Sequence, residues 1–282
     1  MALVSMKEML QKARKEHYAV GSYDIFDIGS IEAVIEIAEK QKSPTILMIA
    51  EGFKKFFNNE IISMVCKKMA AESSVPIALL LDHGQSYEYC ITALRNGFSS
   101  IMIDASKYPL EQNIMITKKV VGACKHLGIS VEGELGHAGT ASKLCTTDDD
   151  SYKTDPEEVK KFVVETGVDA LAVSIGNAHG VYNKVPKIDH ERLIQLNEAS
   201  KVPLVLHGGS GISDDDLRLV IKEGICKINV FTEMSLQAIA NIKELVNTGE
   251  YKMVVNFITA IKAGVKKVVA KRNEVFGSIG KA

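Results

Sequence analysis

The chain has 282 residues, 46% of them hydrophobic, which is enough apolar material for one large α/β barrel or two modest domains. A formal net charge of −1 gives no electrostatic basis for nucleic acid or an anionic membrane surface as partner. No apolar run approaches the roughly 20 residues of a bilayer span, so a membrane partner is not expected either.

Short apolar runs alternate with amphipathic segments along the whole chain, the pattern of a parallel α/β fold. Ser5 with Glu8 forms a capping box for an opening helix. Strands are expected at 18–25, 44–50, 76–82, 99–105, 130–136, 170–176, 203–208 and 225–230. Interiors such as ILMI, IALLL, LAVSI and LVL are apolar on both faces, as suits strands held between a filled barrel and a helical layer. Helical patterns intervene at 30–41, 86–96, 113–126 and 191–199. Asp155-Pro156 places proline at a first helical position, and Ser213 with Asp216 repeats the capping pattern. The longest irregular stretch, about 136–154, follows the fifth strand and has the length of a functional loop. A long helical pattern fills 250–282. Eight β/α units in this length predict one domain over 1–282, a single (β/α)8 TIM barrel with extra C-terminal helices. The opening MALVSMKEML lacks the basic n-region and apolar core of a signal peptide, and the five cysteines include no C-x-x-C pair. The expected compartment is the cytoplasm.

Barrel enzymes place their chemistry at the C-terminal ends of the strands. Strand three ends in Asp82-His83-Gly84, strand four in Asp104, and strand five carries Glu132 and Glu134. Strand six runs into Asn177-Ala178-His179-Gly180 and strand seven into His207-Gly208-Gly209-Ser210-Gly211. Strand eight reaches Asn229, with Thr232 and Glu233 just beyond. Three of the seven histidines therefore end barrel strands, each followed by glycine. A lone histidine at such a place is ordinarily a hydrogen-bonded loop residue. Three converging with carboxylates suit a divalent cation, zinc first, with a position left open for substrate. His137 falls near the same rim but opens the long loop and is expected to be solvated, while His17, His126 and His190 read as structural. The glycine-rich run after strand seven and the segment 229–232 each lead into a helix. Together they offer backbone N–H groups and a hydroxyl to a phosphate, at the loops this fold uses for that purpose.

The motifs LLDHG (80–84), SIMIDAS (100–106), VEGELG (131–136), TDPEEVKKFV (154–163), TGVDALAVSIGNAHG (166–180), PLVLHGGSGI (203–212) and KINVFTE (227–233) together resemble the class II, zinc-dependent ketose-bisphosphate aldolases, the fructose- and tagatose-bisphosphate group. The resemblance implies reversible cleavage of a ketose phosphate or bisphosphate to dihydroxyacetone phosphate and an aldehyde. It implies zinc on His83, His179 and His207, and Asp82 as proton donor. Dihydroxyacetone phosphate would be held by Gly180, Gly208, Gly209, Ser210, Asn229, Val230, Phe231 and Thr232. Asp104 and Glu134 fall where the family has a second, mobile metal position. A monovalent cation and a homodimer or homotetramer are further implications.

The chain departs from that pattern on one side only. The loop after the fifth strand reads GHAGTASKL, with Ser142 and Lys143 where relatives carry acids, and Ala105-Ser106-Lys107 replaces a GSH. Asp24 stands where an asparagine is usual, Ala50 or Glu51 where a serine is, and no arginine is evident near Asn256. In the family the loop acid serves proton exchange on dihydroxyacetone phosphate and the arginine the distal phosphate. Two of the changes affect polar contacts beyond the zinc-bound three carbons, so the aldehyde is expected to differ from glyceraldehyde 3-phosphate. The alternative is an ordinary fructose- or tagatose-bisphosphate aldolase with a tolerant loop. A barrel metallohydrolase, the competing class, would show H-x-H on strand one, where this chain has Tyr23-Asp24-Ile25. A non-catalytic binding relative would be expected to have lost Asp82 or a histidine of the set.

Overall fold

Eight parallel strands pair in sequence order, and the last returns to the first to close a barrel. In the computed structural model, which describes residues 3–136, 152–181 and 186–282, the strands are β1 (Val20–Asp24), β2 (Thr45–Ala50), β3 (Ile77–Gly84), β4 (Ser100–Ile103), β5 (Ser130–Leu135), β6 (Ala170–Val173), β7 (Leu204–Leu206) and β8 (Ile225–Val230). Ten helices are found among the described residues. The first eight are α1 (Met6–Glu16), α2 (Ile28–Gln41), α3 (Asn59–Glu72), α4 (Tyr87–Arg95), α5 (Leu110–Cys124), α6 (Pro156–Thr166), α7 (His190–Ala199) and α8 (Asp214–Lys222). A closing pair, α9 (Thr232–Thr248) and α10 (Val255–Val275), supplies the extra C-terminal helices. None of the described helices is long and apolar enough to cross a membrane.

The caps stand at the expected residues, although the reciprocal Ser5–Glu8 box does not form and the box that does is Asp27 with Ser30 at the start of α2. Ser5 accepts the Lys7 N–H, Asp155 accepts the Glu157 N–H with Pro156 at the first turn, and Ser213 accepts the Asp216 N–H. Several strands stop earlier than expected. β4 ends at Ile103 and β7 at Leu206, so Asp104 and His207 stand just past the last ladder pairs, and β6 ends at Val173, with Asn177 in the loop beyond it. Beyond the rim the chain turns away, and the polar groups there bond to side chains and loops instead of a ladder. The closing helical pattern also runs shorter than 250–282. After Val275 the tail folds back under β1 and β2, where the Phe276 carbonyl accepts the Ala19 N–H at 3.0 Å and the Ser43 and Ser278 hydroxyls meet at 2.8 Å.

The two-residue period of a strand sorts the core into two layers. Val20, Ile46, Met48, Ala78, Leu80, Met102, Ala170, Ala172 and Val205 point into the barrel, and Met6, Met9, Leu10 and Ala13 of α1 close its N-terminal mouth. Leu47, Ile49, Leu79, Leu81, Ile101, Ile103, Val131, Leu171, Leu204 and Leu206 point outward under the helices. Continuing the inward count towards the C-terminal rim reaches Asp24, Asp82, Asp104, Glu132, Glu134, His207, Lys227 and Asn229. The apolar alternation that builds the core thus also aims these polar groups at one another.

Candidate metal and proton-transfer site

His83 is the exception to that alternation. Residues 77, 79 and 81 face the helices, so regular pleating would send His83 outward as well. Its backbone is left-handed (φ 47°), and the pairing of β3 with β4 shifts register between Leu81 and Gly84. This local break swings the imidazole back to the axis, where Nδ1 lies 2.9 Å from Asp104 Oδ2. A left-handed residue other than glycine costs on the order of 1 kcal/mol and persists only where its surroundings enforce it. Gly84 is part of the enforcement, since a Cβ there would lie 2.7 Å from the Met102 carbonyl oxygen.

The three rim histidines meet edge to face. Ring centroids are 4.8 Å apart for His83–His207, 4.9 Å for His83–His179 and 5.6 Å for His179–His207. One ligand atom from each lies within 4.8 Å of the others, and His83, Asp104 and Glu134 form a second such group. His207 Nε2 is engaged by Glu132 Oε1 at 2.9 Å, which leaves its Nδ1 directed at His83 Nε2, 3.1 Å away. With Asp104 on the Nδ1 of His83, two inner ring nitrogens face each other across a gap. Tetrahedral zinc with ordinary Zn–N distances separates two ligand nitrogens by roughly 3.3 Å, so the donor set and its spacing fit a divalent ion.

Electrostatics point the same way. Burial opposes protonation of His83, but the charges of Asp82, Asp104 and Glu134 outweigh it and hold the imidazole up at about 10. Burial would raise the Asp104 carboxyl, yet the hydrogen bond and charge of His83, with donors from Ser106, hold it well below the usual carboxylate range. His207 is pushed far down by burial and then by the His83 charge. In the metal-free protein a proton therefore rests on His83 and is shared towards His207 Nδ1, in the gap a cation would fill.

Beneath this site lies a buried ion pair. Lys227 Nζ reaches Glu132 Oε2 at 2.9 Å and Oε1 at 3.2 Å, and both side chains are 0% exposed. In the sequence Lys227 opens the KINVFTE motif and Glu132 stands on strand five, neither with an assigned role. The signal was present, because a charge inside an otherwise apolar strand has to be paired to be buried.

Asp82 Oδ1 accepts the Asn229 amide at 3.2 Å, and its other oxygen lies 3.9 Å from His83 Nε2. Asp24 stands beside it. Burial, then the Asp82 charge, pushes the Asp24 carboxyl well above its ordinary range, which favours its neutral form.

The two glycine-bearing rim loops are tied together. Gly208 has φ 64°, and a Cβ on it would come within 2.0 Å of the Ala178 carbonyl oxygen, so only glycine lets this loop lie against the segment carrying His179. Asn177 donates to the His207 carbonyl at 3.0 Å. The Gly209 N–H donates to the Asn229 carbonyl at 3.2 Å, and the Ser210 hydroxyl accepts the Glu233 N–H at 3.2 Å. Arg272 clamps the starts of α8 and α9 through Asp214 at 2.8 Å and Glu233 at 2.6 Å. Val230, Phe231 and Thr232 complete the second loop, and Gly180 (φ 99°) follows His179. His17 and His126 lie at the end of α1 and in the turn after α5, and His190 pairs with Glu223 at 2.7 Å on α7, all outside this cluster. The expectations for His137, Ser142, Lys143 and the rest of that loop fall outside the described residues.

A parallel barrel with histidines and carboxylates gathered at the C-terminal rim is the architecture of a barrel enzyme with a metal-ligand set. The model of the family Fructose-bisphosphate aldolase class-II matches residues 4–281. A fructose-bisphosphate aldolase of Thermus caldophilus is 39% identical, covering 99% of this chain and all of the relative, and one of Staphylococcus aureus is 36% identical over the whole of both. Among solved structures, the YdjI aldolase from Escherichia coli K12 superposes with a TM-score of 0.90 at 36% identity, covering 99% of each chain. The chain belongs to the class-II fructose-bisphosphate aldolase family and is a lyase by that membership.

Proposed function

We propose that this protein reversibly cleaves a ketose phosphate or bisphosphate to dihydroxyacetone phosphate and an aldehyde, with zinc held by His83, His179 and His207. The observation that carries the reading is the facing pair of ring nitrogens on His83 and His207, 3.1 Å apart, with His179 completing the set. A divalent ion held there supplies the Lewis acid that polarises the ketose carbonyl. Asp104 and Glu134, which share the His83 face, offer a second metal position, and a monovalent cation accompanies the phosphate.

The protein's own groups do the rest. Asp82 takes the proton from the C4 hydroxyl in cleavage and returns it in condensation. Asn229 holds one oxygen of Asp82 and so leaves the other for that transfer. The loops at Gly180, 208–210 and 229–232 receive the phosphate through backbone N–H groups, the Ser210 hydroxyl and the N-termini of α8 and α9. Gly209 contributes by fastening the loops, since its own N–H is engaged by Asn229. A cytoplasmic homodimer or homotetramer belongs to the same reading and is open to sedimentation analysis.

The test is to strip the purified protein with a chelator, reload it with zinc, and offer a panel of ketose phosphates while measuring dihydroxyacetone phosphate. Release that disappears on stripping and returns with zinc is expected. Equal release without metal, or none from any ketose phosphate, contradicts the proposal.

A further inference from the structure

We propose that the aldehyde taken by this site is uncharged and seats a hydrocarbon-rich face on an aromatic wall formed by Phe26, Phe53 and Phe231. The inference rests on the aldolase reading and names the half of the substrate which that reading leaves open. The three rings come from the rim loops after β1, β2 and β8, adjacent strands of the barrel. Phe53 and Phe231 have centroids 5.0 Å apart, Phe26 stands edge-on to Phe231 at 6.4 Å, and Phe57 backs Phe53 at 5.9 Å. All three residues of the wall remain partly exposed, although Phe26 also packs against the core beneath.

This wall borders the proton-transfer group. Ala50, the last residue of β2, pairs in register with Asp82, and its N–H bonds the Asp24 carboxyl. The next residue, Glu51, is 7% exposed, accepts the Gln85 N–H at 2.8 Å and binds Lys54 at 2.7 Å. The sector therefore holds the Glu51 carboxyl beside the negative faces of aromatic rings, which attract C–H edges and repel anions. Asp24, on the other side of Ala50, is favoured in its neutral form and adds no cation. Its cations are engaged elsewhere. Lys54 is held by Glu51 and lies over the Tyr89 ring, Lys107 donates to Gln85 and lies over Tyr108, and Arg272 is enclosed by Asp214 and Glu233. Lys55, also exposed, lies over Phe56, so among the described residues this sector offers a distal phosphate only exposed lysines and no buried, unpaired cation. Selection here works as much by rejecting a phosphorylated aldehyde as by holding a neutral one.

The experiment is aldol addition by the zinc-loaded enzyme of dihydroxyacetone phosphate to glyceraldehyde, lactaldehyde or glyceraldehyde 3-phosphate, read as kcat/KM for the aldehyde. A neutral aldehyde is expected to exceed glyceraldehyde 3-phosphate by at least about tenfold. Phe53→Ala should raise KM for the neutral aldehyde about tenfold while leaving KM for dihydroxyacetone phosphate unchanged. Glu51→Gln should improve use of glyceraldehyde 3-phosphate. Glyceraldehyde 3-phosphate as the equal or better substrate overturns the inference, as does its use failing in Lys107→Ala. So does a Phe53→Ala protein of unchanged Tm with the neutral-aldehyde KM within twofold of wild type. Consumption of dihydroxyacetone phosphate with the phosphorylated aldehyde alone would refute this inference and leave the aldolase reading standing. No consumption with any aldehyde would refute both.

Discussion

Replacing Lys227 by methionine removes the cation that neutralises Glu132 inside the barrel while nearly conserving side-chain volume. A volume-conserving swap costs less than about 1.5 kcal/mol in packing, whereas stranding one member of a buried ion pair costs about 3–5 kcal/mol. The electrostatic effect should therefore dominate. It also reaches the site, because Glu132 fixes the ring of His207 at 2.9 Å. Once Glu132 is unpaired it takes up a proton or draws one onto His207, and Nδ1 is no longer held out as a clean lone pair. Loss of such an orienting partner weakens metal binding about 10- to 100-fold. Urea unfolding of the metal-free protein reads the first effect, and zinc competition with a chromophoric chelator reads the second. In the double variant Glu132→Gln/Lys227→Met both charges are gone, and its cost should fall short of the sum of the singles by about 1–3 kcal/mol. The reasoning is refuted if Lys227→Met loses less than about 1 kcal/mol and binds zinc within twofold of wild type.

His207→Ala should fold to the same circular dichroism spectrum but retain no stoichiometric zinc after desalting; a full equivalent of tightly held zinc removes His207 from the ligand set. Zinc must displace the proton that His83 carries up to about 10 in the metal-free protein, so apparent affinity should climb about tenfold per pH unit between pH 6.5 and 9. The raised value also has a sign for stability. The protonated ring stabilises the metal-free fold fully below about pH 6.5, and that contribution fades as pH rises towards 10. A flat zinc affinity across this window would contradict the assignment. Asp24→Asn replaces by an isosteric amide a carboxyl whose neutral form burial favours, and cleavage at pH 7 should stay within about threefold of wild type; a loss beyond about tenfold would mean that Asp24 works as an anion.

The barrel was legible because its strands are short, apolar on both faces and evenly spaced, and because the polar residues that end them keep the inward phase. Asp82, Asp104, Glu134, His207 and Asn229 follow from that phase alone. His83 does not. Its motif marks it, but pleating would aim it at the helices, and the left-handed backbone that redirects it depends on β4 packing against Gly84. The role of Lys227 is not legible in the sequence, because a single lysine between Cys226 and Ile228 looks like an outward residue until its partner on β5 is known. The aromatic wall was hidden for a related reason. Phe26, Phe53 and Phe231 are far apart in the chain, and each alone is an ordinary loop aromatic. The expected strand ends run longer than those in the structure because Ile175 still looks like strand after β6, and because the polar residue that ends β7, His207, lies just past the last ladder bond.

The most direct test of the account is the single-turnover rate of carbon–carbon cleavage in wild type and Asp82→Asn at matched zinc occupancy, using the best ketose phosphate found for the wild type. The structure places Asp82 3.9 Å from His83 Nε2, with Asn229 holding its other oxygen, so removing the carboxylate should leave zinc bound. The account predicts a fall of about 10² to 10⁴ in rate with one zinc per chain retained. A fall of less than about tenfold under those conditions would assign the proton transfer to another group.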